Sequence, residues 1–270
     1  MKVRERHWTE TLFVKHPELF LPWMEQMNEI ASEQADGLQK IFAKHELPEG
    51  ARVLDLASGL GRISIRLAKA GYNVVGTDIS PLYLRLAKRW ARKEGVADRT
   101  RFYRIDARNA SGLAAIRKGK FDAVASIWTS IGFYGQTADL ELFRNLSKIT
   151  KRTAILVVET VNRDYLVKHF QDHGVFERDG IVWHDNRRLD LESSFMKNSW
   201  KFYRTLRGSL RLIADIPVSH RVYSIHELKE KVEFAGWNYL ESFGSLRELS
   251  PLSTDTPHMT IVARNHRADN

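Results

Sequence analysis

The stretch Arg52 to Arg62, R-V-L-D-L-A-S-G-L-G-R, sets the tightest limit on what this chain can become. Val53, Leu54 and Leu56 are the apolar run of a strand covered on both faces. Gly59 and Gly61 let the backbone turn sharply and approach a ligand with no Cβ in the way. Ile63, Leu67 and Ala70 then share one face of a helix that Gly71 closes. Asp55 stands out, because a carboxylate inside an apolar strand is costly unless it is hydrogen-bonded. Two compatible roles are open to it: receiving backbone N–H groups of the following turn, or helping to hold the cationic end of a ligand.

The same rhythm continues down the chain. A second strand is expected over Asn73 to Ile79, with Ser80 as N-cap and Pro81 as first helical residue of the next helix. Asp78 then sits at the carboxyl edge of that strand, 19 residues beyond Gly59. There an open α/β sheet presents an acid to ribose hydroxyls, the other use being to complement the helix dipole. A helix over Leu82 to Glu94 leads to strand three, Arg101 to Ile105, which ends on Asp106; strand four is Phe121 to Ile127. A helix from Leu140 to Ile149 and strand five, Ala154 to Val161, complete a parallel α/β series.

The glycine stretch resembles motif I of the class I S-adenosylmethionine-dependent methyltransferases, acidic-x-Gly-x-Gly-x-Gly, with Ala57 replacing the first glycine. By itself Gly59-x-Gly61-x-x-Ser64 is also close to a dinucleotide fingerprint. Asp55 and Ser64 favour the methyltransferase resemblance. That resemblance implies S-adenosyl-L-methionine as cofactor and S-adenosyl-L-homocysteine as product. It places Asp55, Ala57, Ser58, Gly59, Gly61, Asp78, Ile79, Asp106, Ala107, Ser126 and Ile127 at the cofactor. Within it Asp106 accepts from the adenine amino group and the Ala107 N–H meets the ring, an ordinary loop aspartate being the other reading.

The segment after strand four, S-I-W-T-S-I-G-F-Y, carries no Asp/Asn-Pro-Pro-aromatic motif of the exocyclic-amine methyltransferases. It is similar to the small-residue-Ile-Gly-aromatic loop of a subgroup that includes sugar N-methyltransferases. Trp128 and Tyr134 are candidates to face the sulfonium or a cationic substrate, or else core residues. Glu159, His220 and Tyr223 are candidate bases for an acceptor that must lose a proton. His220, Arg221 and Tyr223 can equally grip an anionic substrate or be plain strand residues.

Residues 1–46 carry helical spacing (Leu19, Phe20, Trp23, Met24, Met27, Ile30; Leu38, Ile41, Phe42); the family resemblance implies a lid over the cofactor, a packing extension being the other reading. The remainder, 47–265, is expected as the methyltransferase domain. It includes an antiparallel β insertion at about 176–223, with strands Ile181 to His184, Phe195 to Leu206 and Ser209 to Val218 and a turn at Arg207-Gly208. A helix from Ser224 to Gly236 and strands Trp237 to Phe243 and His258 to Ala263 finish the chain. The fold class is therefore α/β, with a seven-stranded, mostly parallel Rossmann-like sheet, helices on both faces, an N-terminal helical lid and a β insertion after strand five.

At 270 residues this is one α/β core with additions. The absence of cysteine excludes disulfides, thiolate zinc sites and cysteine nucleophiles, and no H-x-x-x-H or H-E-x-x-H spacing points to a metal. No run approaches the roughly 18 apolar residues needed to span a bilayer, and M-K-V-R-E-R-H-W has no signal-peptide apolar region, so a cytoplasmic setting without membrane contact is expected. A net charge of +9, densest from Arg85 to Arg104, suits either a solvated helix face or RNA or an acidic protein as partner. The acceptor is thus expected to be a small molecule, methylated on nitrogen or oxygen. RNA or protein methylation, a non-catalytic S-adenosylmethionine-binding module and hydride transfer with a dinucleotide are the alternatives.

Overall fold

The computed structural model describes residues 6–116, 119–206 and 208–266. Its main sheet runs β10-β11-β5-β4-β1-β2-β3, built from β1 (Arg52–Leu56), β2 (Asn73–Asp78), β3 (Thr100–Arg104), β4 (Phe121–Ser126), β5 (Thr150–Val161), β10 (Trp237–Phe243) and β11 (His258–Asn265). Only β11 runs against its neighbours, wedged between β5 and β10. The seven-stranded α/β sheet expected from the sequence is the one observed.

Side chains of the central strand β1 alternate between two cores. Val53 packs under α3 (Ala31–Lys44), α4 (Arg62–Lys69) and α5 (Pro81–Lys93). Leu54 and Leu56 pack on the other side, under α6 (Ala110–Ala115), α7 (Gln136–Ile149) and α9 (Ile225–Phe234). This double burial is why β1 reads as a continuous apolar run. The α9 start is fixed by a capping box in which the Ser224 side chain and Glu227 satisfy each other's backbone N–H groups.

After β5 the chain leaves the sheet at Asn162, forms α8 (Arg163–Lys168) and a second, antiparallel sheet in the order β6-β7-β8-β9, and returns at Tyr223, where it bridges back to Asn162. Its strands are β6 (His173–Arg178), β7 (Ile181–Asp190), β8 (Phe195–Leu206) and β9 (Ser209–Arg221). The insertion is larger than its sequence outline: β6 precedes the expected start and β7 runs six residues past His184. Of the expected Arg207-Gly208 turn, Arg207 lies outside the described residues.

The N-terminal segment is a chain of short helical pieces: α1 (Trp8–Glu10) running into a π-helical turn at Thr11–Lys15, a 3-10 turn at Pro17–Leu19, α2 (Leu21–Gln26) and a 3-10 turn at Met27–Glu29. Trp8, Phe20 and Trp23 join Trp183, Phe202 and Val218 of the second sheet in a third, aromatic core. The segment therefore spans from one sheet to the other. The Trp8 indole N–H donates to the Ser219 carbonyl (2.9 Å), and the Tyr83 hydroxyl of α5 donates to the Pro17 carbonyl (2.9 Å).

Candidate active site

The turn after β1 folds back onto the end of β2. The Gly59 N–H donates to Asp78 Oδ2 (3.0 Å) and the Ser80 N–H to Asp78 Oδ1 (2.8 Å). Gly59 and Gly61 take φ of 54° and 75°, and so does Ala57 at 55°, where a Cβ is a strain. Gly61 serves packing, since a Cβ there would press on Phe102 and Ala87 at 3.0 to 3.1 Å. Over Gly59 lies the Met24 methyl of α2. Burial pushes the Asp78 carboxyl up to about 6 against the pull of these backbone N–H groups.

Asp55 is buried, its Oδ2 accepting from the Ser64 N–H (3.1 Å) and hydroxyl (2.5 Å) in the first turn of α4. Burial raises it to about 6 as well. It stands behind the turn, outside the cavity wall. At the end of β3, Asp106 is bonded by Arg108 (2.6 Å), and those bonds outweigh its burial and hold its carboxyl below the usual range. Arg108 also reaches Glu10 (3.4 Å) and lies over the Tyr134 ring (4.1 Å). Asp106 with Ile79 borders a shallow recess beside the main cavity, whereas Ala107 and Ile79 line the cavity itself.

Beyond β4, Ser126 Oγ and Ser130 Oγ pair at 3.0 Å and tighten the loop. Ile127, Trp128 and Tyr134 line the cavity. Trp128 stands at φ 80°, an outlier for a bulky residue. Its N–H donates to Glu159 Oε2 (3.2 Å), which also accepts from Gln34 of α3 (2.9 Å), and Gln34 in turn accepts from buried Arg62. Glu159 is thus committed inside the protein, outside the cavity wall. Tyr223 likewise lies outside it, donating to Asp139 Oδ2 (2.6 Å).

The second sheet closes the far side. Its inward face carries Trp183, Asp185, Asn198, Trp200, Val218 and His220. Burial drives His220 down to about 4, so the imidazole is neutral. Tyr134 is raised to about 12 by burial and shares a hydrogen bond with Thr9 (3.1 Å) from the N-terminal segment. Together these walls enclose about 560 Å³.

Of the expected residues, Ala57, Asp78, Ile79, Ala107, Ile127, Trp128, Tyr134 and His220 share this cavity; Asp55, Ser58, Gly59, Gly61, Asp106, Ser126, Glu159 and Tyr223 surround it without lining it. Thr9, Asp139, Asp185 and Asn198 also line it and were not singled out by the sequence. Only alternation along β7 and β8 could have pointed to Asp185 and Asn198. The donor end suits an adenosyl group on its own chemistry. Asp78 keeps acceptor capacity beside the glycine turn, Ser58 Oγ and Thr77 Oγ1 are buried without partners, and Ile79, Ile105 and Ala107 supply an apolar slot. Among the described residues no group of three or more His, Asp or Glu side chains is placed to hold a metal.

A sheet of this order, with a glycine turn facing an acid at the tip of the next strand, is a Rossmann-like α/β fold. Residues 53–153 match the family model described as "Methyltransferase domain". The Bacillus subtilis (strain 168) protein named as methyltransferase YqeM is 32% identical over 141 residues, 51% of this chain and 54% of that one, so this chain spans about half the length of that relative. A ubiquinone biosynthesis O-methyltransferase of Xanthomonas axonopodis pv. citri is 26% identical over 204 residues, 70% of this chain and 81% of that one. In fold the chain is similar to S-adenosylmethionine-bound CalS10, an amino pentose methyltransferase from Micromonospora echinaspora, with a TM-score of 0.62, 19% identity and coverage of 86% of this chain and 90% of that one. Residues 53–153 thus resemble a methyltransferase domain, and the fold is that of the class I S-adenosylmethionine-dependent methyltransferases.

Proposed function

We propose that the protein moves the methyl group of S-adenosylmethionine to a nitrogen or oxygen of a small molecule held between the Gly59 turn and the inner face of β7–β9. The observation that carries this reading is the cavity: about 560 Å³, bounded by the glycine turn at one end, by the second sheet at the other, and roofed by the N-terminal segment. That is the size of a cofactor and a modest acceptor together, within the range of about 300–1,000 Å³ usual for ligand sites. Its charged lining side chains include Arg108 and Arg187, each already paired with a carboxylate, which leaves little to grip a polynucleotide backbone there.

In this reading Asp78 accepts the ribose hydroxyls and Asp106, Ala107, Ile79 and Ile127 frame the adenine. Ala57, Ser58 and Gly59 meet the remainder of the cofactor, while Asp55, Gly61 and Ser126 keep the turn and loop in shape. The bound cofactor supplies an electrophilic methyl on a sulfonium. The chain supplies geometry: the Trp128 and Tyr134 rings and the roof exclude water and fix the acceptor in line, and such positioning lowers a barrier by about 7–11 kcal/mol. Neutral His220 is a cavity-wall group able to take a proton from the acceptor. A cytoplasmic setting fits a chain in which, among the described residues, no helix is long and apolar enough to cross a membrane.

The test is tritiated-methyl transfer from S-adenosylmethionine into a cell extract, separated into dialysable metabolites, RNA and protein. Label in the dialysable fraction is expected. Label confined to RNA would favour the second reading, in which exposed Arg85, Arg89, Arg92 and Arg101 on α5 and β3 recruit a polyanion.

A further inference from the structure

The acid at the end of β3 takes its donors from its own loop. Asp106 Oδ1 accepts from the Arg108 backbone N–H (2.9 Å) and from Arg108 Nε (3.0 Å). Its Oδ2 accepts from Arg108 Nη2 (2.6 Å) and from the same Nε (3.2 Å). A carboxylate has about four lone-pair sites, and Arg108 occupies this one on both oxygens. The family resemblance gives Asp106 another partner, the amino group of adenine. An uncharged amino group does not displace a guanidinium that pairs with the carboxylate through a parallel fork.

The guanidinium is itself held by three elements. Asp106 holds it from the end of β3, Glu10 of α1 accepts from its Nη2 (3.4 Å), and the Tyr134 ring after β4 lies against it at 4.1 Å. These contacts use Nε and Nη2; among the described residues no hydrogen bond engages Nη1. The Arg108 side chain is 37% exposed and lines the main cavity together with Ile79, Ile105 and Ala107, whereas Asp106 borders the recess beside it. At the slot proposed for adenine the wall thus offers a fixed donor where the resemblance implies an acceptor. The ring nitrogens of adenine accept, and its amino group donates.

We infer that Arg108, and not Asp106, reads the base of the cofactor: its Nη1 donates to a ring nitrogen of adenine, while Asp106, Glu10 and Tyr134 hold the guanidinium in place. This rests on the cofactor placement proposed above and changes which group meets the base. Asp106 becomes a positioning residue, and the amino group of adenine goes unread by it. Because Glu10 belongs to α1, the roof also touches the base-binding group directly.

The experiment is calorimetric titration of the full chain with S-adenosylhomocysteine and with S-inosylhomocysteine, which carries a carbonyl oxygen where adenine has its amino group. A carboxylate reading the amino group would lose its donor and meet an oxygen instead, at a cost of about tenfold or more in affinity. A guanidinium meets an acceptor in either base, so the parent should bind the two ligands within about threefold of each other. Arg108→Ala removes the fork and frees Asp106 to accept, so the variant should prefer S-adenosylhomocysteine by about tenfold. A merely structural Arg108 would weaken both ligands alike and leave their ratio as it is in the parent. The inference falls if the parent prefers S-adenosylhomocysteine by more than about threefold, a comparison that needs no variant, or if the ratio is the same in Arg108→Ala as in the parent. Failure of the parent to bind either ligand takes the cofactor reading down as well; binding of both with the larger preference removes this inference alone.

Discussion

Trp128, the residue that follows Ile127 out of β4, is held at φ 80° with its N–H on the carboxylate of Glu159, 3.2 Å away at the end of β5. Backbone strain of this kind costs about 1–3 kcal/mol and persists only where the surroundings impose it. Glu159 imposes it, anchored by Gln34 and, through Gln34, by Arg62 at the foot of the glycine turn. One carboxylate therefore ties a helix of the N-terminal extension, the glycine turn and the loop after β4 together. Glu159→Ala should destabilise the fold by about 3 kcal/mol, because the Gln34 amide and the Trp128 N–H lose their buried acceptor and buried Arg62 loses the carboxylate that offsets its charge. Urea unfolding measures this; a change below about 1 kcal/mol would show the network to be dispensable.

Ala57 offers a change in the opposite direction. At φ 55° its Cβ strains the turn, and glycine removes that strain at some cost in chain entropy. Ala57→Gly should raise stability by about 0.5–1 kcal/mol in thermal unfolding, whereas a lowered melting temperature would mean that the Ala57 methyl makes a contact worth more than the strain.

Asp78 links cofactor binding to pH. Its folded carboxyl titrates at about 6, above its unfolded value, so the contribution of this group to stability is present at low pH and is lost as pH rises from about 4 through 6. Ribose hydroxyls need the ionised form, so S-adenosylmethionine affinity should climb about tenfold between pH 5 and pH 7 as the ionised fraction grows. Calorimetry at both values should show the climb in the parent and none in Asp78→Asn. Unchanged affinity in Asp78→Ala would remove the ribose assignment.

His220 runs the other way. Its folded pKa lies near 4, below the unfolded value, so its share of stability is complete above about 6.5 and is lost as pH falls toward 4. Its ring proton shifts in NMR should stay those of a neutral imidazole from pH 8 to pH 5. A titration midpoint near 6.5 would place water at the ring and overturn its burial as a neutral imidazole.

β1 announces itself because both of its faces are covered, and Asp78 because strand, turn and N-cap fix its position to within a residue. The sequence outlines β7 only as far as His184, because Asp185, Asn186, Arg187 and Arg188 break its apolar character. They continue the strand because Asp185 and Arg187 face a cavity rather than a core, so polarity there reflects the ligand side and not the end of pairing. α6 and α8, six residues each, are too short for helical periodicity to show. Trp8 meets Ser219 and Thr9 meets Tyr134 across more than a hundred residues of sequence, distances over which no local pattern carries information.

The second sheet leaves the main sheet at Asn162 and rejoins it at Tyr223, beside the point of departure. Such a detour can be rewritten by drift without disturbing the strands that carry the Gly59 turn and Asp78. On the proposed function, descendants of a common ancestor could therefore exchange one customer for another by changing β7 to β9 alone, while Gly59 and Asp78 stay untouched.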